Sequence, residues 1–222
     1  MMQSNMFKSP IIIYFFGIPG SGKSYVAHQL SNLTGAAHIS AERLRYELFE
    51  TPQHDKSEHQ LIGQLMNYMT EEFIKSGVSV IYDMSASRLT DRKAIRELAK
   101  KLHTKELVIW LQVDIDTAWA RSKKRDRRKA EDKYASDLTP DLFKQYVRIM
   151  QNPNNEDYLV VSGKHQFNSQ KNAILRRLLD MNVLKIESLT PHIPKPELTN
   201  LVSRAQVQSG RVDYSRRNIS VQ

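Results

Sequence analysis

The feature that most constrains the fold is a glycine-rich turn between a short apolar run and a helix-forming segment. The turn, GIPGSGKS at residues 17–24, has the spacing G-x-x-x-x-G-K-[ST]. The apolar run before it, IIIYFF at residues 11–16, has the composition of a buried strand, and apolar residues recur at helical spacing after it. A strand, a glycine turn and a helix in this order predict an α/β unit whose turn binds phosphate.

The residue types of the turn each suit phosphate binding. Glycines let the backbone curl so that successive N–H groups face phosphate oxygens, and the next helix adds its positive end. We predict that Lys23 bridges the β- and γ-phosphates and that the Ser24 hydroxyl binds Mg²⁺. The predicted cofactors are therefore ATP and Mg²⁺. The predicted nucleotide-binding residues are Gly17, Pro19, Gly20, Ser21, Gly22, Lys23 and Ser24.

Apolar runs alternate with helical patterns as far as about residue 184. After the first strand, further strands are predicted at residues 36–40, 78–84, 106–114 and 157–163. After the first helix, further helices are predicted at residues 40–49, 57–75, 89–102 (with Thr90 as its cap), 116–125, 139–150 and 169–181. Such alternation predicts a three-layer α/β domain over residues 10–184, with a parallel sheet covered on both faces. Residues 1–9 are predicted to be an N-terminal extension and residues 185–222 a flexible basic tail.

Composition limits the class of protein and its surroundings. The chain has 222 residues, 40% of them hydrophobic, and no cysteine, which excludes a disulfide framework and thiolate metal sites. The N-terminal segment lacks the features of a signal peptide. No apolar run approaches the roughly 18 residues of a membrane span. We therefore expect a cytoplasmic protein without a membrane partner.

Two sequence motifs that would indicate nucleotide hydrolysis are missing. ATPase motors carry a glutamate after the strand acid to polarise the attacking water, but Met84 follows Asp83 and Ile115 follows Asp114. GTP-binding switches carry Asn-Lys-x-Asp to read guanine, and the sequence contains no such string. These absences favour transfer of the phosphate to a hydroxyl acceptor over hydrolysis.

Transfer needs a base for the acceptor's proton and a cation that holds the acceptor. Glu42 and Arg45 lie three residues apart at the start of a predicted helix, so they share a face. They follow the second predicted strand, whose carboxyl end opens on the crevice beside the loop. Glu42 is the candidate base and Arg45 the candidate acceptor ligand, and the alternative is an ordinary surface ion pair.

Transfer also needs cations around the transferred group. Residues 121–133, RSKKRDRRKAEDK, hold eight basic and three acidic residues. Within this segment, Arg121 and Arg125 are candidate catalytic cations. They would belong to a lid, about residues 121–138, that closes over ATP. The alternative is that the segment is an ordinary solvated surface. Asp83, at a predicted strand end, is a candidate for binding Mg²⁺ or orienting the acceptor; the alternative is a turn or capping acid.

In chain order, the segments GIPGSGKS, ISAERLR, VIYDMSAS, RSKKR and TPDLFKQYVRIM resemble the small P-loop kinases of the adenylate-kinase-like group. The resemblance is greatest to the predicted-kinase AAA-type family that includes the kinase domain of phage-type polynucleotide 5′-hydroxyl kinase. It implies a P-loop NTPase sheet in the order 2-3-1-4-5. It also implies a base at Glu42, a ligand for an acceptor phosphate at Arg45, lid arginines at Arg121 and Arg125, and an acid at Asp83 on the acceptor or Mg²⁺ side. Glu42 departs from the family's aspartate, and residues 84–86 depart from its Thr-Asn pair.

The sequence thus predicts an ATP- and Mg²⁺-dependent kinase whose acceptor is an alcohol. Its net charge of +9 and the basic lid favour a polynucleotide 5′-hydroxyl or a nucleotide. A sugar, an antibiotic or a nucleotide sugar is the alternative acceptor. A second alternative is a nucleotide-gated RNA-binding module with little transfer activity, which would bind through Lys123, Lys124, Arg127 and Arg128. The acceptor and the oligomeric state stay open.

Overall fold

The computed structural model describes residues 6–125, 128, 133–134 and 138–185. Within them lie five strands: β1 (Ile11–Phe16), β2 (Ala37–Ser40), β3 (Val80–Asp83), β4 (Lys105–Gln112) and β5 (Tyr158–Ser162). The same residues form the helices α1 (Lys23–Thr34), α2 (Ala41–Leu48), α3 (Lys56–Lys75), α4 (Leu89–Lys101), α5 (Ile115–Lys123), α6 (Pro140–Arg148) and α7 (Phe167–Asp180).

The five strands form one parallel sheet in the order β2-β3-β1-β4-β5. This confirms the predicted P-loop NTPase α/β fold and its strand order. In the register, Ser40 lies opposite Asp83, and Phe16 lies opposite Trp110. All carboxyl ends therefore meet at one edge of the sheet, which in open α/β sheets is the ligand-binding edge.

The central strand β1 explains why helices cover both faces of the sheet. All six of its residues are buried, so each face needs an apolar layer of its own. On one face, Ile12, Tyr14 and Phe16 belong to an apolar cluster with residues of α3 and α4. The other face is covered by α1, α5 and α7, whose buried residues include Val26, Leu30, Ala118, Ile174 and Leu178.

Side-chain caps explain why the start of one helix and the end of one strand differ from their predicted positions. Helix α4 begins at Leu89, and the backbone N–H of Arg88 donates to Asp91 Oδ2 at 3.0 Å. Arg88 is therefore the N-cap, and the prediction of Thr90 as the cap is wrong. Strand β4 ends at Gln112, two residues early, because Asp114 caps α5 by accepting a hydrogen bond from Thr117 N at 2.8 Å.

The ends of the described chain pack together. Met6 and Phe7, in the predicted N-terminal extension, are buried. The N–H of Met6 donates to Thr34 O, and the N–H of Lys185 donates to Met6 O. Residues 6–9 are thus attached to the α/β domain. The predicted tail, apart from Lys185, lies outside the described residues.

Among the helices that the structure describes, none is both long and apolar enough to cross a bilayer.

Candidate phosphate-binding and active site

The loop between β1 and α1 has a backbone that only glycine adopts easily. Gly20 has a φ of +81° and Gly22, the N-cap of α1, a φ of +97°. A Cβ on Gly20 would overlap the carbonyl oxygen of Ala118 in α5. The glycine therefore allows the loop to lie directly against α5.

We expect Gly20→Ala to lower the free energy of unfolding by at least about 1–2 kcal/mol, the cost of a left-handed alanine, with the overlap added. Nucleotide affinity should fall with it. The control is Gly63→Ala within α3, where a new Cβ meets nothing within 4 Å. That variant should gain about 0.5–1 kcal/mol from helix propensity. Urea unfolding measures both, and a Gly20→Ala protein as stable as wild type would contradict the expectation.

Lys23 folds back across the loop. Its Nζ donates to Gly17 O at 2.8 Å and to Ile18 O at 3.0 Å. Burial of the amino group lowers the pKa of Lys23 to about 8, which Asp83 opposes and Arg125 reinforces. The Lys23 amine is therefore mostly protonated at pH 7 and loses its charge as the pH rises through about 8. A bound phosphate would favour the charged form.

This pKa gives nucleotide binding an unusual pH dependence. Binding requires the protonated amine, so affinity should be full below the pKa and should fall above it. Between pH 7 and pH 9 the dissociation constant for Mg·ATP should rise by about ten-fold, as linkage to a single group of pKa about 8 requires. Calorimetric titration at both pH values measures it. Lys23→Arg is the control. Its guanidinium stays charged, so the affinity of this variant for Mg·ATP should be nearly the same at pH 7 and at pH 9. A wild-type constant that is equal at both pH values would contradict the assignment.

The carboxylate of Asp83 connects three elements at the carboxyl edge of the sheet. Ser24 Oγ, in the first turn of α1, donates to Asp83 Oδ1 at 3.3 Å. His38 Nε2, in β2, lies 3.0 Å from Asp83 Oδ2. Asp83 is only 8% exposed, so these two neighbours fix its orientation. His38 was not among the predicted site residues; its only signal in the sequence is a polar side chain near the end of a strand, here β2 beside β3.

The Ser24–Asp83 pair fits the metal that P-loop kinase folds use. A hydroxyl and a carboxylate are the hard oxygen donors that Mg²⁺ prefers, and Mg²⁺ takes few of its ligands from the protein. The described residues contain no cluster of three or more His, Cys, Asp or Glu side chains that could hold a metal. Ser24 and Asp83 could hold Mg²⁺ beside a bound nucleotide, where the ion would neutralise phosphate charge.

Glu42 and Arg45 lie where α2 begins, directly after β2. Arg45 is buried, its Nη1 donates to Glu42 Oε1 at 2.5 Å, and its Nε lies 3.4 Å from Glu58 Oε2 in α3. Glu58 also accepts hydrogen bonds from the backbone N–H groups of Gln53 and His54. Two carboxylates thus hold the Arg45 guanidinium, and an acceptor phosphate would have to compete with them.

The second oxygen of the Glu42 carboxylate does not share the contacts of the first. Within the described residues, Glu42 Oε2 is buried and has no hydrogen-bond partner, and His54 Nδ1 lies 4.0 Å from it. Arg45 therefore orients the carboxylate through one oxygen and leaves the other without a hydrogen-bond partner.

The structure describes part of the predicted lid. Arg121, in the last turn of α5, donates from Nη1 to Gly163 O at 2.7 Å, in the loop after β5. Arg125 lies near enough to Lys23 to lower the pKa of that residue. Lys123 and Lys124 are exposed, and Lys123 Nζ lies 5.2 Å from the centre of the Trp119 ring. Residues 126–127, 129–132 and 135–137, Arg127 among them, lie outside the described residues.

A parallel sheet in this order, with this loop after its central strand, defines a small P-loop kinase-like protein. A family model described as "AAA domain" (AAA_33) matches residues 12–152. The chain belongs to this family, whose model spans every strand except β5. No curated protein sequence matches the chain.

Solved structures share the fold at low identity. Kti12 of Chaetomium thermophilum, solved with ADP-AlF3, is 18% identical, with a TM-score of 0.61, over 77% of this chain and 98% of that one. A sugar kinase from Janibacter sp. HTCC2649 is 16% identical, with a TM-score of 0.56, over 79% of this chain and 95% of that one. A gluconokinase from Sinorhizobium meliloti 1021 is 16% identical, with a TM-score of 0.56, over 79% of this chain and 94% of that one. These likenesses support the fold.

Proposed function

We propose that this protein is an ATP-dependent kinase that transfers the γ-phosphate to a hydroxyl acceptor. The observation that carries the proposal is the buried Glu42 Oε2, which has no hydrogen-bond partner within the described residues and follows β2 at the sheet edge that also holds Lys23 and the Ser24–Asp83 pair. A carboxylate with an unpartnered oxygen at the carboxyl edge of the sheet suits a general base. Because Ser40 lies opposite Asp83, the residues that follow both strands open on one crevice.

In the proposed reaction Glu42 Oε2 takes the proton of the acceptor hydroxyl as the acceptor oxygen bonds to the γ-phosphorus. The bond between the γ-phosphorus and its bridging oxygen breaks, and ADP leaves with that electron pair. Lys23 and the loop N–H groups hold the phosphates, and Arg121 and Arg125 are proposed to neutralise the transferred group. Met84 follows Asp83, so that strand end offers no glutamate to activate water.

The acceptor class has two candidates within this proposal. The basic segment after α5 favours a polynucleotide 5′-hydroxyl or a nucleotide, since it would attract phosphates. The sugar kinase and the gluconokinase of the same fold make a small polyol the alternative.

The test is transfer of label from γ-labelled ATP with Mg²⁺ to three acceptors: an oligonucleotide with a free 5′-hydroxyl, adenosine, and gluconate. A Lys23→Ala preparation made in parallel guards against a contaminating kinase. Label on any acceptor, absent from that control, supports the proposal, and the labelled acceptor identifies the class. No label on any of them, together with RNA binding that weakens steeply with salt, would overturn it in favour of the RNA-binding alternative.

A further inference from the structure

Glu58 is a buried acid that takes no part in the reaction derived above. It lies in the first turn of α3 and is 6% exposed. Its Oε1 accepts a hydrogen bond from the N–H of Gln53 at 2.6 Å, and its Oε2 accepts one from the N–H of His54 at 2.8 Å. The same Oε2 lies 3.4 Å from Arg45 Nε. Burying a carboxylate costs free energy unless it is paired and hydrogen-bonded, and here one cation and two backbone donors compensate it.

Capping of α3 does not explain these contacts. The N-cap of α3 is Asp55, whose Oδ1 accepts a hydrogen bond from the N–H of Glu58 at 2.8 Å. In a capping box the acid at the position of Glu58 would accept from the N–H of the N-cap residue itself. Here the backbone donors are Gln53 and His54, which precede the N-cap. The carboxylate of Glu58 therefore connects α3 to the loop before it and, through Arg45, to α2.

The loop before α3 has a backbone conformation that few side chains favour. His54 has a φ of +55°, in the left-handed region. Such a conformation costs free energy in a residue other than glycine and persists where the surroundings fix it. The hydrogen bond from the N–H of His54 to Glu58 Oε2 fixes it here, and the imidazole Nδ1 lies 4.0 Å from Glu42 Oε2. Glu58 thus determines which side chain lies beside one oxygen of Glu42.

Arg45 contacts the other oxygen of Glu42. Its Nη1 donates to Glu42 Oε1 at 2.5 Å, and its side chain is only 5% exposed. An acceptor phosphate would find almost no guanidinium surface to contact, and it would be repelled by the carboxylates of Glu42 and Glu58. The charge of Arg45 is therefore used inside the protein, on these two carboxylates.

We propose that Glu58 is a positioning residue, which holds Arg45 on one oxygen of Glu42 and His54 beside the other. Arg45 then orients the candidate base and does not bind a phosphate of the acceptor. This inference rests on the proposed kinase function and adds to it the class of acceptor. That acceptor is an alcohol that needs no phosphate next to its hydroxyl, such as a nucleoside or a polyol.

The first measurement compares acceptors that differ by one phosphate. Adenosine and adenosine 3′-phosphate present the same 5′-hydroxyl, and gluconate represents the polyols. An arginine bound to the 3′-phosphate would raise kcat/KM for adenosine 3′-phosphate over adenosine by about ten-fold or more, the worth of a hydrogen bond to a charged group. We expect the wild type to show no such preference, or to label gluconate and neither adenosine compound.

A double variant assigns any preference to its source. Arg45→Gln with Glu58→Gln keeps both side-chain sizes and leaves neither buried charge without its partner. If Arg45 acts on Glu42, the double variant should lower kcat on every acceptor and leave the ratio of the two kcat/KM values unchanged. A ratio that falls by about ten-fold would assign Arg45 to the acceptor phosphate and overturn the inference. Because the ratio compares two acceptors on one protein, a loss of stability does not change it.

The second measurement tests whether Glu58 acts through Glu42. Glu58→Gln should lower kcat by about ten-fold or more, because a small misplacement of a catalytic group is costly, and should leave the KM of ATP unchanged. Glu72→Gln makes the same change on the surface of α3, where Glu72 is 54% exposed, and should keep wild-type kcat. In a Glu42→Gln background, Glu58→Gln should lower kcat no further, because no base is left to position. A merely structural role would lower kcat by the same factor in both backgrounds.

The outcomes separate this inference from the proposed function. Absence of label on every acceptor overturns the kinase function, and this inference with it. Label transfer with wild-type kcat in Glu58→Gln, or with an equal loss in both backgrounds, overturns the inference and leaves the kinase function standing. Label transfer that Glu58→Gln weakens only where Glu42 is present supports both.

Discussion

Glu42→Gln is expected to lower kcat for phosphoryl transfer by about 10²- to 10⁴-fold, the contribution typical of a general base. The amide retains the shape of the side chain and still accepts a hydrogen bond from Arg45, but it takes no proton. Because Glu42 lies at the start of α2 rather than in the phosphate loop, the KM of ATP should stay within about two-fold of wild type. Steady-state kinetics on the acceptor identified by label transfer measures both constants.

Two further variants test whether the loss of kcat comes from the missing carboxylate of Glu42. Glu97→Gln makes the same chemical change on the exposed surface of α4 and should keep wild-type kcat. Glu42→Asp retains a carboxylate but withdraws it by one methylene, so its kcat should fall between those of wild type and Glu42→Gln. A Glu42→Gln enzyme with wild-type kcat would show that another group takes the proton.

Arg92→Met is expected to give the largest loss of stability, about 3–5 kcal/mol. Arg92 is completely buried in α4, and its Nε and Nη2 donate to the two oxygens of Glu156 at 2.8 and 2.9 Å. Its Nη1 donates to Ala86 O at 3.0 Å, and its guanidinium lies 4.9 Å from the centre of the Phe16 ring. Methionine would fill the space but leave a buried carboxylate with Arg96 as its remaining cation.

Guanidinium unfolding measures the loss, and Lys100→Met in the same helix is the control. Lys100 pairs with Glu97 at 2.9 Å, but both side chains are about 70% exposed, so removing that pair should cost no more than about 1 kcal/mol. Replacing both partners, Arg92→Met with Glu156→Leu, should recover much of the stability, because no buried charge is left alone. A loss below about 1 kcal/mol in Arg92→Met would contradict the role assigned to this ion pair.

Protonation of Glu156 should weaken the same network. Burial by itself would raise the pKa of Glu156, but the ion pairs with Arg92 and Arg96 outweigh burial and hold its pKa below the ordinary value. A depressed carboxyl pKa stabilises the folded state above the unfolded pKa, and that contribution is lost as the pH falls through the folded pKa. The stability difference between wild type and Arg92→Met should therefore shrink in acid.

The sequence by itself determined the fold and the position of the phosphate-loop side chains. The fold follows from periodic apolar runs and from a glycine pattern that only a strand–loop–helix unit accommodates. Lys23, Ser24 and Asp83 could be found because each is defined by its distance along the chain from a strand end.

Tertiary structure alone decided which side chains meet across the sheet. His38 lies 45 positions from Asp83 in the sequence, and Arg92 lies 64 from Glu156. The contacts of Glu58 require α2, α3 and the loop before α3 to converge. Arg45, predicted from its neighbours as an acceptor ligand, is found between Glu42 and Glu58. Such pairings depend on how helices pack on the sheet, and local sequence patterns contain no information about contacts at that distance along the chain.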